Sequence, residues 1–232
     1  HNVALRAGKT VTFMPKPMVG APGNGMHFHQ YFIDRNGKSL FYGNKYASLS
    51  GNAIHYIGGL LKHTAAMMAF CCPTTNSYRR FGVGLAAPMN LFFAEANRSS
   101  AVRIPGYSKN PEEQRVEYRL PDALCNPYIA IAVQLLAGLD GISKKTDPTK
   151  EGFGPFDVNN YELPPEERAK IKSAPASLEA AVEALAKDSS FLTAGKVFPK
   201  QIIDTWIELK MAEVNEIKKR PHPYEFELYY DF

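Results

Sequence analysis

The chain has 232 residues and a formal net charge of +4, with 45% hydrophobic and 22% charged residues, which suits one compact globular domain and excludes a disordered or fibrous protein. Its only basic run, Lys218-Lys219-Arg220, falls at the end of a predicted helix and argues against a nucleic-acid binder. No apolar stretch reaches membrane-spanning length and no charged-then-apolar leader opens the sequence, so we expect no membrane association.

The first forty residues predict strands on either side of a glycine-containing loop. Residues 10–15 (TVTFMP) are expected to form a short strand, and residues 20–25 are rich in Gly, Pro and Asn. Residues 26–34 then alternate in polarity and are followed by Asn36-Gly37, which predicts a β-hairpin with a type I′ turn.

A long helix follows the predicted hairpin. Ser50 is its expected N-cap, apolar residues recur at helical spacing to about Phe70, and Pro73 stops it. Residues 74–88 have turn chemistry without a period and are predicted to be a loop. Residues 91–95 fit either a short helical piece or a buried strand.

The remaining elements are predicted from capping residues and from alternation. They are strands at 101–104 and 115–120, helices beginning at Asn126, Ser177 and about Pro199, a surface loop at 144–175 and a terminal strand at 224–232. The three cysteines form neither a disulfide framework nor a zinc motif, so we expect a reducing compartment.

A pair of histidines in an H-x-H pattern comes directly after the glycine loop. On a strand, His27 and His29 share one face, where they could serve a metal or a phosphate group. The alternative is a pair of satisfied polar residues on an open sheet face.

A carboxylate lies between two arginines in the pattern R-x-E-x-R. Arg115, Glu117 and Arg119 share one strand face, and flanking guanidinium groups favour an ionised carboxylate. The alternative is a surface ion-pair ladder of little energetic weight. A metal held by Glu117 and His27 would need further acidic ligands, and no acidic cluster in the sequence is an obvious source.

Further arginines occur at Arg79-Arg80, Arg98 and Arg103. Guanidinium forks match phosphate and carboxylate oxygens, so convergence of these residues with the R-x-E-x-R motif would create a site for a polyanion. Scattered surface arginines are the alternative. The sequence has no Walker-type phosphate loop.

Taken in order, seven segments resemble the C-terminal part of type I glutamine synthetases: KTVTFMPKP, GNGMHFH, PTTNSYRR, NRSSAVRIP, RVEYRLPD, NPYIAIAVQLLAGLDGI and PHPYEFELYYDF. The resemblance covers nearly the whole chain in the family's order and spacing. It implies an α+β fold with a curved antiparallel sheet, a funnel or partial barrel, and outer helices. Residues 1–232 would be the C-terminal part of the catalytic domain, with the N-terminal domain absent from this chain.

The resemblance also implies a reaction: ATP-dependent ligation of ammonia to the γ-carboxylate of glutamate through γ-glutamyl phosphate, with Mg²⁺ or Mn²⁺, in a cytoplasmic homo-oligomeric ring. It assigns His27 and Glu117 to a metal, His29, Arg98, Arg103 and Arg115 to the nucleotide and its phosphates, and Gly23, Arg80 and Arg119 to glutamate. Arg98 and Arg80 would act on the reacting groups.

Two features set this chain apart from the family pattern. The sequence starts at His1, which suggests a cut within a longer protein, and we expect the fragment alone to be inactive. The flap position that carries a proton-accepting glutamate in the family is Ala86. This replacement leaves open a ligase for another amine or a non-catalytic binding or assembly module. Tyr161 matches a tyrosine that some type I enzymes have adenylylated.

Overall fold

The computed structural model describes residues 1–81, 89–107, 110–158, 164–168 and 170–231. Within these ranges the helices are α1 (Asn2–Arg6), α2 (Gly51–Cys71), α3 (Thr75–Arg79), α4 (Pro127–Lys144), α5 (Pro165–Arg168), α6 (Leu178–Lys187), α7 (Ser190–Thr193), α8 (Lys200–Lys218) and α9 (Pro223–Tyr229). The strands are β1 (Phe28–Gln30), β2 (Asn90–Glu95), β3 (Ser100–Ile104) and β4 (Val116–Tyr118). None of the described helices is long and apolar enough to span a membrane.

The four strands form one open sheet in the order β1-β4-β3-β2. The pairs β1–β4 and β3–β4 are antiparallel. The predicted α+β class, with an open sheet and outer helices, is therefore confirmed. The pair β2–β3 differs from the expected antiparallel sheet because it is parallel.

Only residues 96–99 connect β2 to β3, so this short segment must return the chain to the start of the neighbouring strand. Ala96 begins the return with a positive φ of 56°. The side chain of Asn97 then fixes the segment, because its Oδ1 accepts a bond from Ser99 N at 2.9 Å and its Nδ2 donates to the carbonyl groups of Phe156 and Val158. Parallel strands usually need a longer crossover, so these bonds stabilise an unusual connection.

Helices α2 and α4 pack closely because small residues line their contact. A β-carbon on Gly59 would lie 2.1 Å from the carbonyl oxygen of Ala137, and one on Gly138 would lie 1.9 Å from the ring of Tyr56. Both helices begin where the sequence predicts: Ser50 Oγ accepts a bond from Ala53 N at 3.1 Å, and Asn126 caps α4.

A buried histidine joins the helices behind the sheet. His63 on α2 lies between two carboxylates, with Nε2 2.9 Å from Asp140 Oδ2 of α4 and Nδ1 2.7 Å from Asp188 Oδ2 at the end of α6. Its ring also stacks on Phe191 of α7, with centroids 4.1 Å apart. One side chain thus connects four helical elements.

The N-terminal part of the chain has less regular structure than the sequence predicts. Residues 10–15 form no strand, and in place of the expected type I′ hairpin the five residues 34–38 form a loop between the isolated bridge partners Ile33 and Ser39. The reason is local: Asp34 Oδ1 accepts bonds from the amides of residues 36 and 38, and only Gly37 adopts a positive φ. This is a type I turn followed by a left-handed glycine.

Two further segments are helical where a loop and a strand were predicted. In the segment 74–88, Thr74 and Ser77 form a capping box that starts α3. In the tail, His222 and Glu225 form another capping box around Pro223, so α9 replaces the predicted terminal strand. The ambiguous segment at 91–95 is strand β2.

Replacing His63 with alanine should lower the free energy of unfolding by about 2 kcal/mol, because the nearly buried Asp140 and the partly exposed Asp188 would lose their shared hydrogen-bond partner. Thermal or urea unfolding of the chain measures this loss. Lys62→Ala is the matched control, since Lys62 is the exposed neighbour on the same helix. Equal stability of the two variants would contradict the bridging role of His63.

Candidate functional site

The strand register brings a histidine, a glutamate and an arginine side by side. His29 on β1 is the direct partner of Glu117 on β4, and Glu117 is in turn the partner of Arg103 on β3. Directly paired residues share a face of the sheet, so the three side chains project together. The alternation that the sequence predicts therefore extends across three strands.

Glu117 is the centre of this cluster and only 3% exposed. Its Oε2 accepts a bond from Arg103 Nε at 2.5 Å, and its Oε1 lies 2.8 Å from His27 Nδ1 and 3.6 Å from Arg119 Nε. Burial by itself raises the pKa of Glu117. The hydrogen bond from His27 and the charges of the two arginines outweigh that effect and lower the pKa to about 2, so the group is ionised at neutral pH.

Arg115 lies beside His29 at the solvent-facing edge of the cluster. Its Nε donates to His29 Nδ1 at 3.3 Å, its Nη1 to the carbonyl group of Glu113 at 2.8 Å and its Nη2 to the hydroxyl group of Tyr107 at 2.6 Å. Burial is the main cause of a lowered pKa at His29, which favours the neutral ring that this bond requires. The arginine is thus oriented before any ligand binds.

Arg119 connects the cluster to the segment between β2 and β3. It is 5% exposed, and its Nη1 donates to the carbonyl oxygen of Arg98. Because Asn97 fixes that segment, the position of Arg98 is tied to the sheet, while its own side chain is exposed. The charge of Arg98 also acts on Arg119, where it adds to the burial that lowers the pKa of that guanidinium group.

Arg80 lies under the glycine loop and is 6% exposed. Its Nη2 donates to the carbonyl oxygen of Leu120, and its guanidinium carbon lies 4.6 Å from the centroid of the Phe81 ring. A β-carbon on Gly23 would lie 3.2 Å from Arg80 Cγ. One on Gly25 would lie 2.4 Å from Arg80 Nη1 and 3.4 Å from His27 Nε2, so Gly25 is the point where Arg80 approaches the Glu117 cluster.

Four buried polar side-chain atoms in the described part of the chain have no hydrogen-bond partner. They are Asn24 Oδ1, Arg80 Nε, Arg119 Nε and Asp122 Oδ2. Asn24 lies in the glycine loop, and Asp122 is buried where the charge of Arg80 acts on it. Such atoms are rare in folded proteins, and their concentration here indicates a site built for a polar ligand.

The structure therefore brings together all nine residues that the sequence singles out. Four of them, His27, His29, Arg103 and Arg119, surround the carboxylate of the fifth, Glu117. Arg115 joins through His29, Arg98 joins through its carbonyl group, and Gly23 and Arg80 lie beside the cluster. Sequence reasoning missed Tyr107, Asn24, Gly25 and Asp122. The last three stand inside the segments GNGMHFH and RVEYRLPD, whose pattern is a signal that could have found them. Ala86 and Tyr161 lie outside the described residues.

His27 and Glu117 are close enough to contribute to one metal site, but they are two ligands only. No group of three or more histidine, cysteine, aspartate or glutamate side chains suited to a metal occurs in the described ranges. Mg²⁺ and Mn²⁺ prefer six ligands, mainly oxygen atoms. The described residues therefore do not form a complete divalent-metal site.

Known proteins resemble this chain over almost its entire length. The family model described as "Glutamine synthetase, catalytic domain" matches residues 1–229. The glutamine synthetase of Microchaete diplosiphon is 53% identical over 231 residues, which are 99% of this chain and 48% of that protein. The glutamine synthetase of Nostoc sp. (strain PCC 7120) is 52% identical with the same coverage. The chain thus spans about half the length of these relatives.

A solved structure shows the same fold. The structure titled "GmaS/ADP complex-Conformation 1" is 32% identical to this chain and superposes with a TM-score of 0.85, covering 100% of this chain and 51% of that one. The two glutamine synthetases and the solved structure are therefore each matched over about half of their own length.

Replacing Gly25 with alanine should weaken the binding of tripolyphosphate to this chain by about tenfold, because the added methyl group displaces the Arg80 guanidinium group. Isothermal titration measures the affinity. Gly51→Ala is the control, since a β-carbon there meets no atom within 4 Å. Unchanged affinity in Gly25→Ala, with both variants folded, would contradict a role for Arg80 in anion binding.

Proposed function

The chain belongs to the glutamine synthetase family, and we propose that it forms the nucleotide- and phosphate-binding part of an enzyme that uses ATP to join an amine to the γ-carboxylate of glutamate. Since the chain spans about half the length of its relatives, the proposal concerns the full-length protein. On its own, the chain is expected to be inactive, because the residues that the structure describes offer only His27 and Glu117 as candidate ligands of one metal ion.

The observation that supports this proposal most strongly is the convergence of arginines on one buried carboxylate. Arg103 and Arg119 contact Glu117 directly, Arg115 is joined to the cluster through His29, and Arg98 is joined to it through Arg119. Phosphoryl transfer depends chiefly on positioning and on neutralising the negative charge spread over the phosphate oxygens. A scaffold or assembly module has no need of such an arrangement.

The cations divide into two groups by position. Arg98 is exposed and Arg103 and Arg115 are partly exposed, and we assign these three, with His29, to the phosphates of ATP. Arg98, whose exposed side chain is the least constrained of the three, would contact the transferred phosphoryl group. Its role would be to stabilise charge that develops as the phosphoryl group leaves ATP.

The second group holds glutamate. Arg80 and Arg119 are nearly buried, and each has an Nε without a hydrogen-bond partner, so each could donate to a carboxylate or acyl-phosphate oxygen. Gly23 lets the loop backbone approach Arg80, because a β-carbon there would lie 3.2 Å from Arg80 Cγ. Burial of these donors would also exclude water from the reactive intermediate.

We propose that His27 and Glu117 are two of the ligands of a divalent cation, Mg²⁺ or Mn²⁺, whose other ligands come from outside this chain. When bound, that ion would neutralise phosphate charge. The low pKa of Glu117 keeps the carboxylate ionised and available at neutral pH without prior loss of a proton. His27, fixed by its 2.8 Å contact with Glu117, would keep the carboxylate oriented.

The choice of acceptor amine depends on the flap position, which is Ala86 in this chain. Ala86 has no group that can take a proton from ammonium, so either another residue does this or the acceptor is a different amine. Loss of this base is also the observation that favours a second candidate, a non-catalytic binding or assembly module. We expect the full-length protein to work in the cytoplasm as a homo-oligomeric ring, as the family resemblance implies.

The test is an assay of the full-length protein for glutamate- and ATP-dependent phosphate release with ammonia and a panel of primary amines, at saturating Mg²⁺ and Mn²⁺. Turnover with at least one amine is expected, and Arg98→Ala should reduce it by about 100-fold, since the lost donor acts on developing charge. Arg79→Ala, on the exposed neighbour of Arg80, is the control. If no phosphate is released with any of the amines, including ammonia, the ligase proposal is contradicted and the binding module is favoured.

A further inference from the structure

Tyr107 lies in the connection between β3 and β4, outside the motifs that point to the site. Strand β3 ends directly before Pro105, which has no amide hydrogen to donate to a neighbouring strand. Gly106 then packs against the end of β2, where a β-carbon would lie 3.2 Å from Glu95 Oε1. The sheet therefore fixes the backbone that leads into Tyr107, although the tyrosine side chain is 72% exposed.

The exposed side chain of Tyr107 ends on Arg115. Its hydroxyl oxygen accepts a hydrogen bond from Arg115 Nη2 at 2.6 Å, and the guanidinium carbon lies 5.4 Å from the centroid of its ring. A second nitrogen of the arginine, Nε, donates to His29 of β1 at 3.3 Å. The guanidinium group is therefore held between strand β1 and the β3–β4 connection.

Two neighbouring arginines of the site are held in a different way, by a carboxylate. Arg103 Nε lies 2.5 Å from Glu117 Oε2 and Arg119 Nε lies 3.6 Å from Glu117 Oε1. The negative charge of Glu117 orders both guanidinium groups, but it also reduces the attraction that they exert on a further anion. These two cations are thus ordered and partly neutralised by the same group.

Arg115 is ordered by neutral groups instead. Its three bonds go to an imidazole nitrogen of His29, the carbonyl oxygen of Glu113 and the phenolic oxygen of Tyr107, and none of these atoms carries a negative charge. A guanidinium group has more N–H donors than these three bonds use, so donors remain for a ligand. Arg115 therefore keeps both its charge and a part of its donors for a phosphate group.

We propose that Tyr107 is a positioning residue of the nucleotide site, whose hydroxyl group holds Arg115 in place for the phosphates of ATP without neutralising its charge. Tyr107 is the partner of Arg115 that can be altered alone, because His29 lies on β1 and Glu113 bonds through its backbone. A carboxylate at position 107 would also order the arginine, but it would neutralise it. The inference rests on the assignment of Arg115 to the phosphates in the proposed function.

Isothermal titration of the metal-free, full-length protein with tripolyphosphate tests this role without relying on turnover. Tyr107→Phe keeps the ring and removes the hydroxyl group, so it should weaken the binding about fivefold, because Arg115 must then be ordered when the anion binds. Tyr107→Glu should weaken the binding further, by about 30-fold, because Arg115 is then neutralised. Tyr128→Phe, at an 84% exposed tyrosine on α4, is the control and should bind like the wild type.

A double-mutant cycle shows whether Tyr107 acts through Arg115. In the Arg115→Ala background, Tyr107→Phe should change the affinity by less than about twofold, because the group that the tyrosine holds is gone. An equal loss in both backgrounds would overturn the proposal, and so would wild-type affinity in Tyr107→Phe, even with a lowered melting temperature, since the bond would then only close the β3–β4 connection. Failure of the ligase assay with these affinities intact would count against the proposed function alone, whereas a wild type that binds no tripolyphosphate would overturn both.

Discussion

The ionised Glu117 carboxylate is the interaction on which the rest of the site depends. Two guanidinium groups and an imidazole converge on it within a nearly buried position, at 2.5 to 3.6 Å. Without this negative charge, Arg103 and Arg119 would repel each other at an interior face of the sheet. Desolvation of the carboxylate is offset by these contacts, and breaking such a network usually costs several kcal/mol.

The fold serves this charge cluster in two ways. The antiparallel register of β1, β4 and β3 aligns His29, Glu117 and Arg103 in one row, so that no loop has to hold them. The glycine loop then brings backbone rather than side chain against Arg80, which allows the second group of cations to lie beside the first. Among the described residues, Arg80 Nε and Arg119 Nε are left without a hydrogen-bond partner, which is the arrangement that the proposed carboxylate ligand requires.

Much of this site could be predicted because its pattern is local. A two-residue period places His27 and His29 on one face of their strand, and Arg115 and Arg119 on one face of theirs. This holds whichever strands lie beside them in the sheet. The parallel pairing of β2 could not be predicted, because it depends on side-chain bonds from Asn97 to residues about sixty positions away. The contact of Arg115 with Tyr107 and the unpaired Nε of Arg80 likewise arise from tertiary packing. At the C-terminus, a capping box outweighed the alternation that indicated a strand.

Glu117 either organises the cations around it or merely reduces their net charge. Isothermal titration of the metal-free chain with tripolyphosphate, comparing the wild type with Glu117→Gln, separates these possibilities. Charge alone makes Glu117→Gln bind the anion more tightly, because one repelling negative charge is gone. If Glu117 organises the cluster, the variant should bind about tenfold more weakly, since its arginines must be ordered on binding. Tighter binding by Glu117→Gln would contradict the account.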